Sequence, residues 1–417
     1  MTKITPDAIA SSTIYRLRLQ DILLGAQMLF VAFGALVLVP ILVGLNPNVA
    51  LFTSGLGTLC FQLVTGGKVP VYLASSFAFI APITLSIEKY GLAETLSGLA
   101  AAGVVYLLLS LIVYWGGSAL ITRFLPTVVT GPVIMVIGLG LAPTAVQMAT
   151  EAGENYSAAI AIGVAAVALL VTMLTAIVAQ GFLRLVPILV GILAGYLVSL
   201  PLGLVDFTPV AQAPWLISPN FTIPQFHLPA VLFILPVAIA PAIEHIGDVL
   251  AIGSVTGNDY LRDPGIHRTL LGDGIATTLA AVLGGPPNTT YSEVTGAVAL
   301  TRTFNPGIMT WAAIAAILLS FCGKLGAILQ TIPVPVMGGI LIVLFGTVVI
   351  VGMNSMIQIG EDLLQPRNIA IVGAILMLGV GGMSVKAGAF ALEGIGLSSI
   401  IGVLLNLLLP QSDPEYL

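Results

Sequence analysis

The chain has 417 residues, of which 58% are hydrophobic and 7% charged, with a formal net charge of -5 and a mean hydropathy of +1.11. A soluble domain carries about 25% charged residues, so this composition excludes an ordinary soluble enzyme or nucleic-acid-binding domain and describes a polytopic membrane protein. The small net charge says little, because the placement of Lys and Arg matters more than their sum in a membrane protein.

Apolar runs fall at about 20–46, 50–66, 72–87, 93–114, 127–148, 156–180, 182–204, 228–254, 267–284, 289–303, 309–331, 334–353, 367–384 and 392–410, giving fourteen predicted spans. No short apolar segment with a small-residue cleavage site precedes the first run, so no removable signal peptide is expected. With both termini in the cytoplasm, Lys3, Arg16, Arg18, Lys68, Arg123, Arg184, Arg262, Arg268, Arg302 and Arg367 lie inside and Lys89, Lys324 and Lys386 outside, ten against three. That asymmetry fits the positive-inside rule, and dropping any one span would invert every later loop. Lys324 is the weakest of these placements, because it falls close to or within a span. Cys60 and Cys322 sit in apolar runs and read as small buried hydrophobes, with neither disulfide nor metal spacing.

The third and tenth runs share a design. Gly66 and Gly67 lead through Pro70 to Ser75 and Ser76, where a helix begins; Gly284, Gly285, Pro286 and Pro287 lead through Asn288, Thr289 and Thr290 to a helix carrying Glu293. Proline prevents an unbroken helix in each, so each reads as a short extended strand followed by a half-helix. Non-helical backbone survives at membrane depth only where protein or a water-filled cavity covers it, and paired interrupted runs point to a transporter site. Each is the third run of a seven-span half, and an odd number of spans inverts one half relative to the other. The expected fold is therefore all-α and polytopic: a first repeat over 1–205, an outside linker over 206–227 rich in proline and lacking Lys and Arg, and an inverted repeat over 228–417.

Four acids fall inside apolar runs: Glu244, Asp248, Asp273 and Glu293. A charge at the bilayer centre costs about 2.5–3.5 kcal/mol, so such residues face a cavity, a partner or a proton. Glu244 and Asp248, four apart, share a helical face and cannot both ionise readily in low dielectric, so Glu244, Asp248 and Asp273 are candidates for proton coupling. Bracing or capping a broken helix is the alternative for Asp248 and Asp273. His245 would point roughly 100 degrees away from Glu244. His227 and His267 lie at loop edges and read as inert. Phe77 and Tyr291 stand at the two breaks, where a flat heterocycle could stack or ordinary packing could place them.

The segments Pro-Pro-Asn-Thr-Thr-Tyr-Ser-Glu (286–293), Glu-His-Ile-Gly-Asp (244–248), Leu-Arg-Asp-Pro-Gly-Ile-His-Arg (261–268), Ser-Ser-Phe-Ala-Phe-Ile (75–80) and Ile-Pro-Val-Pro-Val-Met-Gly-Gly (332–339) resemble the nucleobase-ascorbate transporter family, most of all its bacterial uracil-permease branch. The resemblance runs from the span of Gln27 to about Val403. It implies proton symport, a homodimer in a bacterial inner membrane, and a core domain (about 20–114 and 228–331) moving against a gate domain (about 119–204 and 334–410). By the same resemblance Glu244 and Glu293 grip the amide edge of the base and the backbone N-H groups of Phe77 and Ser292 meet its carbonyls; Tyr291, from its place at the second break, is the further candidate for the substrate site. Asp248 stands where that branch usually has His and, with Asp273, is similar to the purine branch; Val294 and Met28 also depart from the uracil pattern, while Glu293 agrees with it. Uracil import is thus expected, with a xanthine or uric acid symporter as the alternative and sodium open beside the proton. No cofactor or metal site is expected. An anion carrier of the related sulfate-permease type would place Lys or Arg near Glu293. An intramembrane hydrolase would need an activated nucleophile or a metal set, and Glu244-His245 lacks the second His of a zinc motif.

Overall fold

The computed structural model describes residues 13–117, 123–153, 156–359, 363–387 and 390–410. Lys3 and both chain ends, expected to be cytoplasmic, lie outside the described residues. The chain is mostly helical, and among the described residues seven helices are long and apolar enough to cross a membrane. It is a multi-pass membrane protein.

The first half opens with α1 (Ile22–Leu42) and α2 (Pro47–Val64). The turn between them follows from sequence: the Asn46 side chain accepts from the Asn48 N-H at 2.8 Å and Pro47 takes the first helical position, where no N-H is missed. Next come β1 (Leu73–Ser75), a 3-10 turn (Phe77–Phe79), α3 (Ile80–Tyr90) and α4 (Leu92–Gly116). Then follow α5 (Thr127–Thr150), α6 (Ala158–Val178) and α7 (Pro187–Ser199). The second half holds α8 (Leu228–Ile234), α9 (Ile239–Thr256), α10 (Ile266–Val282), β2 (Asn288–Thr290), α11 (Ser292–Thr301), α12 (Gly307–Ser320), α13 (Gly323–Gln330), α14 (Val334–Ile359), α15 (Pro366–Val380), β3 (Ser384–Ala387), β4 (Phe390–Glu393) and α16 (Gly394–Leu408).

The helices pack in two groups. In one, α10 lies against α2 and α4, α12 against α1 and α2, and α8 against α4; in the other, α14 lies against α5 and α6, α6 against α7, and α15 against α5 and α16. α9 reaches both, touching α10 and α11 on one side and α5 and α16 on the other. Without a hydrophobic drive between helices in lipid, close approach depends on small residues. A Cβ on Gly103 of α4 would stand 2.9 Å from the Gly274 carbonyl of α10, and one on Gly352 of α14 would stand 2.6 Å from the Gly131 carbonyl of α5.

Three features depart from the expectation. The run 309–331 is not one helix but splits into α12 and α13 at Phe321 and Cys322, because the linker folds back and pairs there. Leu216 bridges to Cys322, the Ile217 N-H donates to the Phe321 carbonyl at 2.9 Å, and the Gly323 N-H donates to the Trp215 carbonyl at 3.1 Å. Lys324 leaves the span for this strap, donating to the Val210 and Ala211 carbonyls at 2.5 and 3.1 Å. The linker itself carries a short helix, Thr208–Gln212, and its Gln225 N-H donates to the Ala93 carbonyl at 2.9 Å. Cys60 and Cys322 are free thiols but only half-buried, so neither is a fully buried packing residue. Finally, β3 and β4 form an antiparallel pair ahead of α16 that the apolar pattern did not indicate.

Candidate substrate site

The two proline-interrupted segments, more than two hundred residues apart in sequence, meet as an antiparallel pair, with Leu73 opposite Thr290, Ala74 opposite Thr289 and Ser75 opposite Asn288. All six residues are buried. Extended backbone inside an apolar protein must find partners, and each strand supplies them to the other. The Ser76 N-H adds a bond to the Pro287 carbonyl at 2.9 Å.

Neighbouring helices finish the satisfaction. The Leu73 N-H donates to the Thr58 hydroxyl of α2 at 2.9 Å, Thr277 of α10 donates to the Asn288 carbonyl at 2.7 Å, and the Asn288 amide donates to the Thr53 carbonyl at 3.0 Å. Ser75 donates to the Leu36 carbonyl of α1 at 3.1 Å, and the Tyr291 hydroxyl donates to the Ser75 carbonyl at 2.6 Å. Space here is tight: a Cβ on Gly57 would stand 2.6 Å from the Asn288 amide nitrogen.

From opposite ends of this pair run the 3-10 turn leading to α3 and the helix α11. Ser76 and Tyr291, the residues just before them, are extended, and no side chain caps either start. The first N-H groups of both helices are therefore available to a ligand. Phe77 and Tyr291 stack with ring centroids 6.1 Å apart and planes 17° from parallel. Phe345 of α14, from the other packing group, meets Phe77 edge-on at 6.0 Å.

The four acids converge here. Glu244 of α9 lies within electrostatic reach of Asp248, Asp273 and Glu293. Glu244 and Glu293, the latter in the first turn of α11, are half-buried, and Glu244 Oε2 has no hydrogen-bond partner among the described residues. Asp248 is occupied instead: its Oδ2 accepts from Thr290 at 2.8 Å and its Oδ1 from the Ser292 hydroxyl. It therefore braces the corner where β2 becomes α11, and the Ser292 side chain is committed to it, leaving the Ser292 N-H for a ligand. Asp273 of α10 is fully buried, 3.5 Å from His245 Nδ1. None of the four acids pairs with Lys or Arg among the described residues. His227 is a cap for α8, its Nδ1 accepting from the Ala230 N-H at 3.4 Å. No group of three or more His, Cys, Asp or Glu suited to a metal occurs among the described residues.

Sequence reasoning did not find Thr290 or Phe345. Thr290 was visible only as part of a strand, and its link to Asp248 depends on α9 packing against β2. Phe345 is one aromatic residue in an apolar helix, with no local signal to set it apart.

A family model described as permease family matches residues 19–388. The chain is 52% identical to a probable uracil permease of Haemophilus influenzae, over 100% of both chains. It is 44% identical to the uracil permease of Bacillus subtilis, over 93% of this chain and 92% of that one, and 40% identical to the uracil permease of Escherichia coli K12, over 94% and 91%. Among solved structures, the transmembrane domain of the cyanobacterial bicarbonate transporter BicA superposes with a TM-score of 0.64 at 15% identity, over 95% of this chain and 99% of that one. SLC26A9 superposes with a TM-score of 0.66 at 13% identity, over 96% and 68%. At such identities the likeness is one of fold.

Proposed function

Because the chain belongs to the permease family, we propose that it is a proton-coupled nucleobase symporter that imports uracil by alternating access. The observation that carries this reading is the meeting of two uncapped half-helix starts with Glu244 and Glu293 beside the Phe77 and Tyr291 stack. A pyrimidine presents alternating N-H donors and C=O acceptors on a flat ring. Carboxylates accept from the former, backbone N-H groups at Phe77 and Ser292 donate to the latter, and the aromatic faces cover the ring. The names of the relatives support uracil as the base.

Coupling requires that proton and base favour the same state. Glu244, Asp248 and Asp273 are the groups proposed to hold the proton, since no Lys or Arg pairs with them among the described residues. In this proposal the helix group around α2, α4, α10 and α12 is the core and the group around α5, α6 and α14 the gate. Phe345 touching Phe77 from α14 makes one contact that must change when they slide. Fourteen spans in two inverted repeats, cytoplasmic termini, a bacterial inner membrane and a homodimer belong to the same proposal. The helices found within each of the apolar runs, and the pairing of run three with run ten, support the repeat.

A purine base is the second reading, favoured by Asp248 at the α11 corner; sodium in place of the proton suits the same acids. The test is binding of radiolabelled uracil to the purified protein at pH 5.5 and 7.5 against uracil, thymine, xanthine, hypoxanthine, uric acid and sulfate. Competition by uracil supports the assignment. Stronger competition by xanthine or uric acid moves it to a purine, and binding of no base refutes it.

A further inference from the structure

One set of buried polar atoms has no part in gripping the base. His245 of α9 and Asp273 of α10 are both 0% exposed, with Nδ1 and Oδ2 3.5 Å apart. His245 Nε2 and both Asp273 carboxylate oxygens lack a hydrogen-bond partner among the described residues. The Thr290 hydroxyl lies 3.4 Å from His245 Nδ1 and donates its single proton to Asp248 Oδ2 at 2.8 Å. A hydroxyl that donates to Asp248 can only accept from His245, so Nδ1 carries a hydrogen and directs it between Thr290 and Asp273.

The surroundings decide what charge the pair can hold. Facing His245 are Asp273 from α10, Thr290 from β2 and the edge of Phe61 from α2, at 6.3 Å and 73°. Glu244 and Asp248 share its helix, and Tyr106 of α4 interacts with Asp273 and Glu244. None of these is a cation. A bare carboxylate buried without donors, beside further acids, is not tolerated unless neutralised. One added proton neutralises the pair, whether it sits on Asp273 as a carboxylic acid or on His245 as an imidazolium facing a carboxylate.

Losing that proton also changes the wiring. The carboxylate left on Asp273 draws the one Nδ1 hydrogen of neutral His245 to itself, and the Thr290 hydroxyl, no longer accepting from His245, donates more weakly to Asp248, which holds the Ser292 corner of α11. We propose that the His245 and Asp273 dyad, connected through Thr290 to Asp248, is the site that carries the coupled proton and reports its presence to the half-helix that binds the base.

The proposal rests on the nucleobase reading, and one experiment separates the two. Uracil Kd is measured on the purified full-length protein from pH 5.5 to 8.5 for wild type, His245→Gln, Asp273→Asn, Thr290→Val and Asp248→Asn, with thermal melting as a check of folding. For one proton bound with the base, wild-type Kd weakens about tenfold per pH unit on the alkaline side of the dyad's titration. His245→Gln and Asp273→Asn are expected to bind uracil with a flat pH profile, and Thr290→Val to flatten it while leaving both members of the dyad in place. A wild-type slope kept by His245→Gln and Asp273→Asn overturns the proposal, and a slope lost only in Asp248→Asn moves the proton to Asp248. Failure of the wild type to bind uracil refutes the nucleobase reading, and the dyad's coupling role with it. Should Asp273→Asn fail to fold, His245→Gln and Thr290→Val carry the same test.

Discussion

Removing only the Tyr291 hydroxyl isolates the tie between the two helix breaks. In Tyr291→Phe the ring keeps its place 6.1 Å from Phe77, while the 2.6 Å bond to the Ser75 carbonyl is lost. Ser75 is 0% exposed, so water cannot replace the donor, and an abandoned buried acceptor costs about 1–3 kcal/mol. As an equilibrium constant that is about 5- to 150-fold. If the bond is equally made with and without base, the whole cost falls on stability: melting temperature drops and uracil Kd stays. If the strand pair tightens around the base, part of the factor appears in Kd. Thermal melting and uracil titration of the purified variant at a single pH measure both shares. Wild-type melting together with wild-type Kd would refute the tie.

Glu244→Gln and Glu293→Gln should each abolish uracil accumulation in proteoliposomes driven by a pH gradient; normal uptake by either removes that residue from the site. Gly57→Ala places a methyl 2.6 Å from the Asn288 amide and should destabilise by about 1–3 kcal/mol, read as a lower melting temperature, and unchanged melting would show that the strand pair has room to move. Ser292→Ala takes one of two donors from Asp248 and should cost about 1–3 kcal/mol, measured the same way, with no loss meaning that Asp248 does not brace the corner. Lys324→Met should free the strap over 206–227, seen as faster cleavage there in limited proteolysis, and an unchanged rate would show the docking to be held elsewhere.

What the sequence made legible is what depends on local chemistry. Proline at 70, 286 and 287 dictates extended backbone wherever the chain lies, so both strands and both half-helices were readable before any coordinates. Acids in apolar runs are similarly conspicuous, because lipid penalises them, and all four meet around Glu244. What stayed hidden depends on which elements touch. Nothing near Asp248 says that Ser292 and Thr290 will donate to it, and nothing near Asn288 says that its amide will reach Thr53. The break at Cys322 was missed for the same reason: no proline or paired glycine marks it, and a single β-bridge from distant Leu216 meets it there.

That strap has a mechanical meaning. Its bonds run to Ala93 of α4, to Phe321 at the end of α12, and to Gly323 and Lys324 of α13, which packs on α2 and α12, while α7, from which it departs, belongs to the other group. The covalent joint between the halves is thus stapled to one of the two groups, and in the proposed sliding motion only the short stretch after Ser199 would pay out. A leash of roughly ten residues spans at most about 35 Å. If the two groups slide as proposed, it would slacken and straighten, and its length would set an outer limit on their travel. Shortening it stepwise would shorten the stroke before it touched the site.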